Sequence, residues 1–259
     1  MPQQVTSTGS PIVLISPAMA IGSGYYRPLV DELTARGWAA RALPRRGFEP
    51  DQPTASRKVD WSYADEVDDT AAAVAAARAE DPDRPVIILG HSLGGQFATG
   101  HELTRTPADG IVTVGGVLPH YRHYSQRGWP IWFLATALIP VMTRVFGHLP
   151  EPAFGAPGAR TLMGEWARLI RTGELPFPPG DPITTPALLI SLDGDQLGPV
   201  AGVDALAGLY DPRTRTRWHY ADSEVPDGAS NDHVTWVRSP ARVVDEIEFW
   251  WARVTAVAE

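Results

Sequence analysis

Cysteine is absent from this chain. Its absence excludes disulfides, thiolate metal ligands and a cysteine nucleophile, and leaves the redox compartment open. A basic stripe is also missing. The formal charge is −8 over 259 residues, an excess that serves solubility and argues against nucleic acid and anionic membrane surfaces as partners. Met1 to Ser10 carries no basic flank and no apolar stretch, so no secretory leader is visible and a cytoplasmic setting is expected. The longest apolar stretch, Trp129 to Phe146, is interrupted by Pro130, Pro140 and Arg144, and a membrane span is not expected. Internal repeats and low-complexity linkers are lacking. His120 and His123 stand close together, but no carboxylate or third histidine lies at ligand spacing, so neither a metal nor a cofactor is expected.

What is present is an ordinary globular composition, 44% hydrophobic and 20% charged, sufficient for a sizeable core. Strand-length apolar runs alternate with segments of helical period. Ile12–Ser16, Trp38–Leu43, Val86–Leu89, Ile111–Val114, Ala187–Leu192 and Thr216–Tyr220 read as strands. Tyr25–Arg36, Asp60–Glu80, Gln96–Thr104, Ala159–Arg171 and Ser239–Ala256 read as helices. Such alternation predicts a mostly parallel sheet with helices on both faces. One stretch breaks the rhythm. Between the fourth and fifth strands lie about sixty residues, from Leu118 to Pro182, far more than an ordinary connection needs. This stretch reads as a helical cap over the carboxyl ends of the strands, where open sheets bind ligands. The expected division is a core of residues 1–117 and 183–259, and a cap of 118–182.

Pro85-Val86-Ile87-Ile88-Leu89-Gly90-His91-Ser92-Leu93-Gly94-Gly95 carries the chemistry. An apolar strand stops on Gly-x-Ser-x-Gly and passes directly into a helix. Small residues are needed at Gly90 and Gly94 because the serine sits on a strained turn that exposes its hydroxyl. The same turn aims the first free amides of the helix at whatever that hydroxyl attacks. Serine needs a base to take its proton, and the base needs an acid to orient it. Two carboxylates, Asp193 and Asp195, follow the fifth strand. Asp232-His233 follows the sixth and precedes the last helix. The order is Ser, Asp, His.

The chain resembles the α/β-hydrolases, specifically the serine-aminopeptidase-like group and a bacterial branch of hydrolases within it. The matching pieces are Ser16-Pro17-Ala18-Met19, Tyr25-Tyr26-Arg27-Pro28-Leu29, the elbow Gly90–Gln96, Trp129-Pro130, Leu138-Ile139-Pro140, Phe146-Gly147, Asp195 and Asp232-His233. The resemblance implies Ser92 as nucleophile, His233 as general base and Asp195 as the orienting acid. Pro199 stands at the family's offset from Asp195. Gly194 directly precedes that aspartate, which departs from the family and keeps Asp193 open as the acid. The implied oxyanion donors are the amide of Leu93 and that of Ala18, with Met19 as the other choice, because Ser16-Pro17 replaces the usual His-Gly.

His91 reads as a packing or hydrogen-bonding residue rather than a base. With Met19, Trp129, Trp132 and Phe133 it forms the candidate substrate-binding set. Arg45-Arg46 reads as a solvated turn. The expected reaction is hydrolysis of an ester-like acyl bond of an apolar small molecule. Thioester, lactone, acyl-transfer and C–C bond chemistry on the same three residues are the alternatives, together with a non-catalytic binding protein. The expected partner is a small-molecule substrate, and a homodimer is open.

Overall fold

The computed structural model describes residues 10–151 and 157–258. In chain order, strand β1 (Ile12–Ser16) leads through a short 3-10 turn to helix α1 (Arg27–Ala35) and β2 (Ala39–Ala42). Helix α2 (Tyr63–Glu80), β3 (Val86–His91), α3 (Leu93–Thr104) and β4 (Gly110–Val114) follow. The six long strands pair in parallel, in the order β2-β1-β3-β4-β7-β8, where β7 is Ala187–Leu192 and β8 is Arg215–Tyr220. The register puts Ser16 and Thr113 on either side of Gly90. The carboxyl ends of β1, β3 and β4 therefore finish level, on one rim.

Burial explains the strand composition. Every residue of β1, β3, β4 and β7 is buried, as expected of strands covered on both faces. Alternate side chains feed two separate cores. Val13, Ile15, Ile87 and Leu89 pack with Leu29, Leu33, Ile247 and Trp250 on one face. Ile12, Leu14, Val86 and Ile88 pack with Val74, Ala98 and Leu206 on the other. The end strand β8 is only partly buried, consistent with its mixed sequence. Helix α2 starts from a capping box in which Ser62 and Asp65 exchange side-chain and backbone hydrogen bonds, a device that adds about 1 kcal/mol. Helix α7 (Val200–Ala207) is short and rich in alanine and glycine. It lacks a strong apolar period, and sequence patterning passes over it.

Between β4 and β7 come a 3-10 stretch (Tyr121–Arg127), α4 (Gly128–Phe133), a π-turn (Leu134–Leu138) and α5 (Ile139–Phe146). The two-stranded β5 (His148–Leu149) and β6 (Gly158–Ala159) and helix α6 (Arg160–Thr172) complete the segment. Expectation and structure differ here. Gly128 to Phe146 runs as one helical stretch through both prolines. Pro130 sits in the first turn, where no intrahelical donor is required. The π-turn just before Pro140, with Ile139 N–H donating to the Leu134 carbonyl, absorbs the irregularity the ring imposes. Ala135, Ile139, Leu162, Met163, Ala167 and Ile170 pack against Trp61, Tyr63, Leu93 and Phe97. The inserted helices thus rest on the start of α2 and on α3, beside the elbow.

Arg45 is also not solvated. It is 3% exposed, pairs with buried Glu66 at 3.3 Å and lies 4.7 Å above the Phe97 ring. Only Arg46 faces outward, on Asp69.

Candidate active site

β3 hands the chain to α3 through Ser92, which adopts φ 53° and ψ −114°. A positive φ at a non-glycine residue costs on the order of 1–3 kcal/mol and persists only where the surroundings enforce it. Here two glycines do so. A Cβ on Gly90 would stand 2.5 Å from the Gly94 backbone, and one on Gly94 would collide with the Ser16 carbonyl. The turn is held by the Ser92 amide, which donates to the Val114 carbonyl at 2.9 Å.

Three loops on the carboxyl rim converge on this serine. His233, from the loop after β8, places Nε2 2.9 Å from Ser92 Oγ. Its Nδ1 lies 2.6 Å from Asp195 Oδ2, on the loop after β7. The Asp195 side chain is fully buried, and its Oδ1 accepts the amides of Leu197 at 2.8 Å and Gly198 at 2.7 Å. Asp193 instead points outward, 3.7 Å from His219, and is 44% exposed. The structure therefore gathers Ser92, His233 and Asp195 into one hydrogen-bonded chain and leaves Asp193 outside it.

The Leu93 amide opens α3 and has no hydrogen-bond partner among the described residues. Ala18 is a correction. Its amide donates to the Tyr26 hydroxyl at 2.8 Å, in a buried position, and is not free to face a substrate. The Met19 amide, one residue on, has no partner among the described residues. The backbone bends sharply beside it, with Ala20 at φ 61°.

His91 is the packing and hydrogen-bonding residue expected, but its place in the substrate-binding set is a second correction. Its side chain has no exposure at all, so it cannot touch substrate. It belongs to a buried network instead. The His91 Nε2 lies 2.6 Å from the His233 carbonyl. A carbonyl only accepts, so this nitrogen carries the proton. Nδ1 is then free to accept from the Tyr26 hydroxyl at 2.7 Å, while the Tyr26 oxygen accepts from Ala18. Trp236 packs edge-on against the ring with its indole Nε1 3.3 Å from Nε2, and the much shorter contact to the His233 carbonyl decides where the ring proton sits. Burial, aided by the nearby His233, pushes His91 down to about 3, so the ring stays neutral. Burial pushes the Tyr26 hydroxyl well up, which keeps its proton available for donation. The network thus runs from the β1 loop to the backbone of His233.

The aromatic candidates also diverge from expectation. Trp129 is 71% and Phe133 62% exposed, and Trp132 is half-buried with its ring edge-on to Trp129. Trp129 and Phe133 face solvent rather than a pocket, while Ala135, Ile139 and Thr143 of the same stretch turn inward. Met19 is partly buried against the cluster of the inserted helices. Tyr124, which sequence reading did not single out, is buried and donates to the Leu197 carbonyl at 3.3 Å, beside the Asp195 loop. A cavity of about 740 Å³ between α6 and the Pro176–Pro182 return includes none of the three converging residues, whereas one of about 400 Å³ is lined by Asp195 and His233. The site is defined by side-chain convergence, not by cavity size. Among the described residues, no group of three metal-ligating side chains occurs.

Solved structures share this architecture. A monoacylglycerol lipase from Paleococcus ferrophilus superposes with a TM-score of 0.62 at 17% identity, covering 93% of this chain and 95% of that one. A soluble variant of monoglyceride lipase from Saccharomyces cerevisiae gives 0.66 at 12% identity, over 96% and 88%. A type II thioesterase from the borrelidin biosynthetic cluster gives 0.59 at 14%, over 96% and 94%. No curated protein matches the sequence. The family model described as serine aminopeptidase, S33, matches residues 9–153, which include the whole serine elbow. With that match over more than half its length and the parallel sheet beneath it, the chain belongs to the serine aminopeptidase (S33) family of α/β-hydrolases.

Proposed function

We propose that this hydrolase cleaves an ester-like acyl bond of an apolar small molecule by way of an acyl-enzyme. The observation that carries the reading is the unbroken contact chain from Ser92 Oγ to His233 Nε2 and from His233 Nδ1 to Asp195 Oδ2, with the serine on a strained, outward turn. His233 takes the Ser92 proton as Oγ attacks the acyl carbonyl. The carbonyl oxygen gains negative charge, which the amides of Leu93 and Met19 stabilise. His233 then gives its proton to the leaving alkoxide. A water, deprotonated in turn by His233, attacks the acyl carbon, and collapse of the second intermediate returns the proton to Ser92 and frees the acid. Asp195 holds Nδ1–H and offsets the imidazolium that forms twice per cycle.

Residues 118–182 act as a cap in this reading. Tyr124 at its root reaches the acid loop, and its helices share an apolar cluster with Met19 and Leu93. That apolar floor supports an acyl rather than a peptide substrate. The solved lipases and the thioesterase of the same fold act on acyl groups by name, in keeping with the reading.

The test is labelling by a fluorophosphonate probe, followed by turnover of p-nitrophenyl esters, acyl thioesters and aminoacyl p-nitroanilides. Labelling is expected in the native chain and lost in Ser92→Ala and His233→Ala, with esters turned over best. Labelling that persists in Ser92→Ala removes the nucleophile. Preference for the anilides removes the acyl-ester reading.

A further inference from the structure

The helical stretch Gly128–Phe146 presents an apolar face that nothing in the fold covers. Trp129, Phe133, Val141 and Val145 recur at multiples of four residues and are 71%, 62%, 53% and 53% exposed. Leu138 and Phe146 extend the same stripe. The opposite face is occupied, since Ala135, Ile139 and Thr143 are buried against the protein. By length and hydropathy alone the stretch could cross a bilayer. Its packed inner face rules out a crossing while the fold is intact, and leaves the outer face, about 28 Å long, at the surface.

The charge around this face reverses the character of the chain. The protein carries 30 acidic residues, yet none lies between Gly110 and Pro150. Arg122 and Arg127 stand before the helix and Arg144 near its end, all exposed. Arg57 donates to the Val145 carbonyl and, with Arg144 and Arg160, lines a shallow depression beside Gly147. The single lysine, Lys58, is the next residue. Among the described residues no carboxylate pairs with Arg57, Arg122, Arg127 or Arg144, whereas Arg160, at the edge of the same depression, pairs with Asp60.

We propose that this helix lies in the headgroup plane of an anionic lipid surface, with Trp129, Phe133, Val141 and Val145 inserted and the flanking arginines on lipid phosphates. An apolar stripe bordered by cations is what interfacial helices use. A second copy of the chain fits less well, because paired faces would bring unpaired arginines against one another. The net negative charge of the molecule does not oppose docking, since the local surface is cationic and distant charge is screened within about 8 Å at physiological salt. The inference does not depend on the reaction at Ser92.

The experiment is flotation of the full chain with vesicles of phosphatidylcholine, with and without phosphatidylglycerol. Native protein is expected to float with the mixed vesicles. Trp129→Ser/Phe133→Ser/Val141→Ser is expected to lower the bound fraction about tenfold, with an unchanged circular-dichroism spectrum and Tm. Arg122→Gln/Arg127→Gln/Arg144→Gln is expected to erase the difference between the two vesicle types. Absence of flotation, equal flotation of the serine variant, or a native dimer that the serine variant splits into monomers would each overturn the proposal.

Discussion

Replacing Asp195 by Asn tests the hydrogen-bonded chain at its most constrained point. Asp195 Oδ1 accepts two amides, from Leu197 and Gly198, while Oδ2 meets His233 Nδ1 at 2.6 Å. An asparagine can satisfy both amides only through its oxygen. Its NH2 group must then face His233. Two donors cannot share that contact, so Nδ1 becomes the acceptor and the ring proton moves to Nε2. In that tautomer His233 offers Ser92 a proton instead of taking one. The fold loses little, because the shape is preserved and every polar atom remains partnered. Loss of the correct tautomer in such a triad lowers turnover by roughly 10⁴-fold, and at 1.36 kcal/mol per factor of ten this is about 5 kcal/mol of transition-state stabilisation. The assay is kcat/KM on a soluble p-nitrophenyl ester, with the rate of fluorophosphonate labelling measured in parallel. Asp193→Asn serves as the control, since that carboxylate lies outside the chain. Asp195→Asn activity within tenfold of native, or an equal loss in Asp193→Asn, would refute the argument.

Further outcomes follow from neighbouring residues. Tyr26→Phe removes the donor to His91 and strands the buried Ala18 amide, so urea unfolding should show a loss of about 1–3 kcal/mol. Gly94→Ala drives a Cβ into the Ser16 backbone. Overpacking of this kind costs about 1–3 kcal/mol or more, and fluorophosphonate labelling should fall with Tm. His91 is held down to about 3 in the folded state, below its unfolded value of about 6.5. Between these limits the unfolded chain binds a proton that the folded chain refuses. Stability therefore falls as pH drops through that window, by up to about 1.4 kcal/mol per pH unit. His91→Gln should flatten the acid limb of stability against pH by one proton, and an unchanged slope would contradict the neutral assignment.

The sheet was legible because its strands are covered on both faces and carry uninterrupted apolar runs. The bounds expected for Ile12–Ser16 and Ala187–Leu192 match the structure. The serine turn was legible because Gly-x-Ser-x-Gly encodes a steric requirement of the backbone itself. The order of acid and base followed from the chain reaching the same rim after each strand. What escaped depends on contacts between distant residues. Nothing adjacent in sequence indicates that Tyr26 reaches Ala18 and His91, so the Ala18 amide is expected to be free and His91, though read as a packing residue, is also placed beside the substrate. Local composition could not say which way Trp129 and Phe133 point, since an apolar residue on a helix is ordinarily turned inward. Asp193 and Asp195 are separated by one residue, and only the turn at Gly194, with φ 66°, sends one inward and the other out.

The sequence distance between Ser92 and His233 has a consequence for biogenesis. His233 follows Ser92 by 141 positions, and the two meet only after β7 and β8 have joined the sheet. A ribosome has therefore made the elbow, and most of both cores, well before the imidazole emerges. Parallel strands that pair across such intervals assemble slowly, since loop closure precedes any gain from contact. The contact between Ser92 and His233 can therefore form only once the chain beyond β8 has been made.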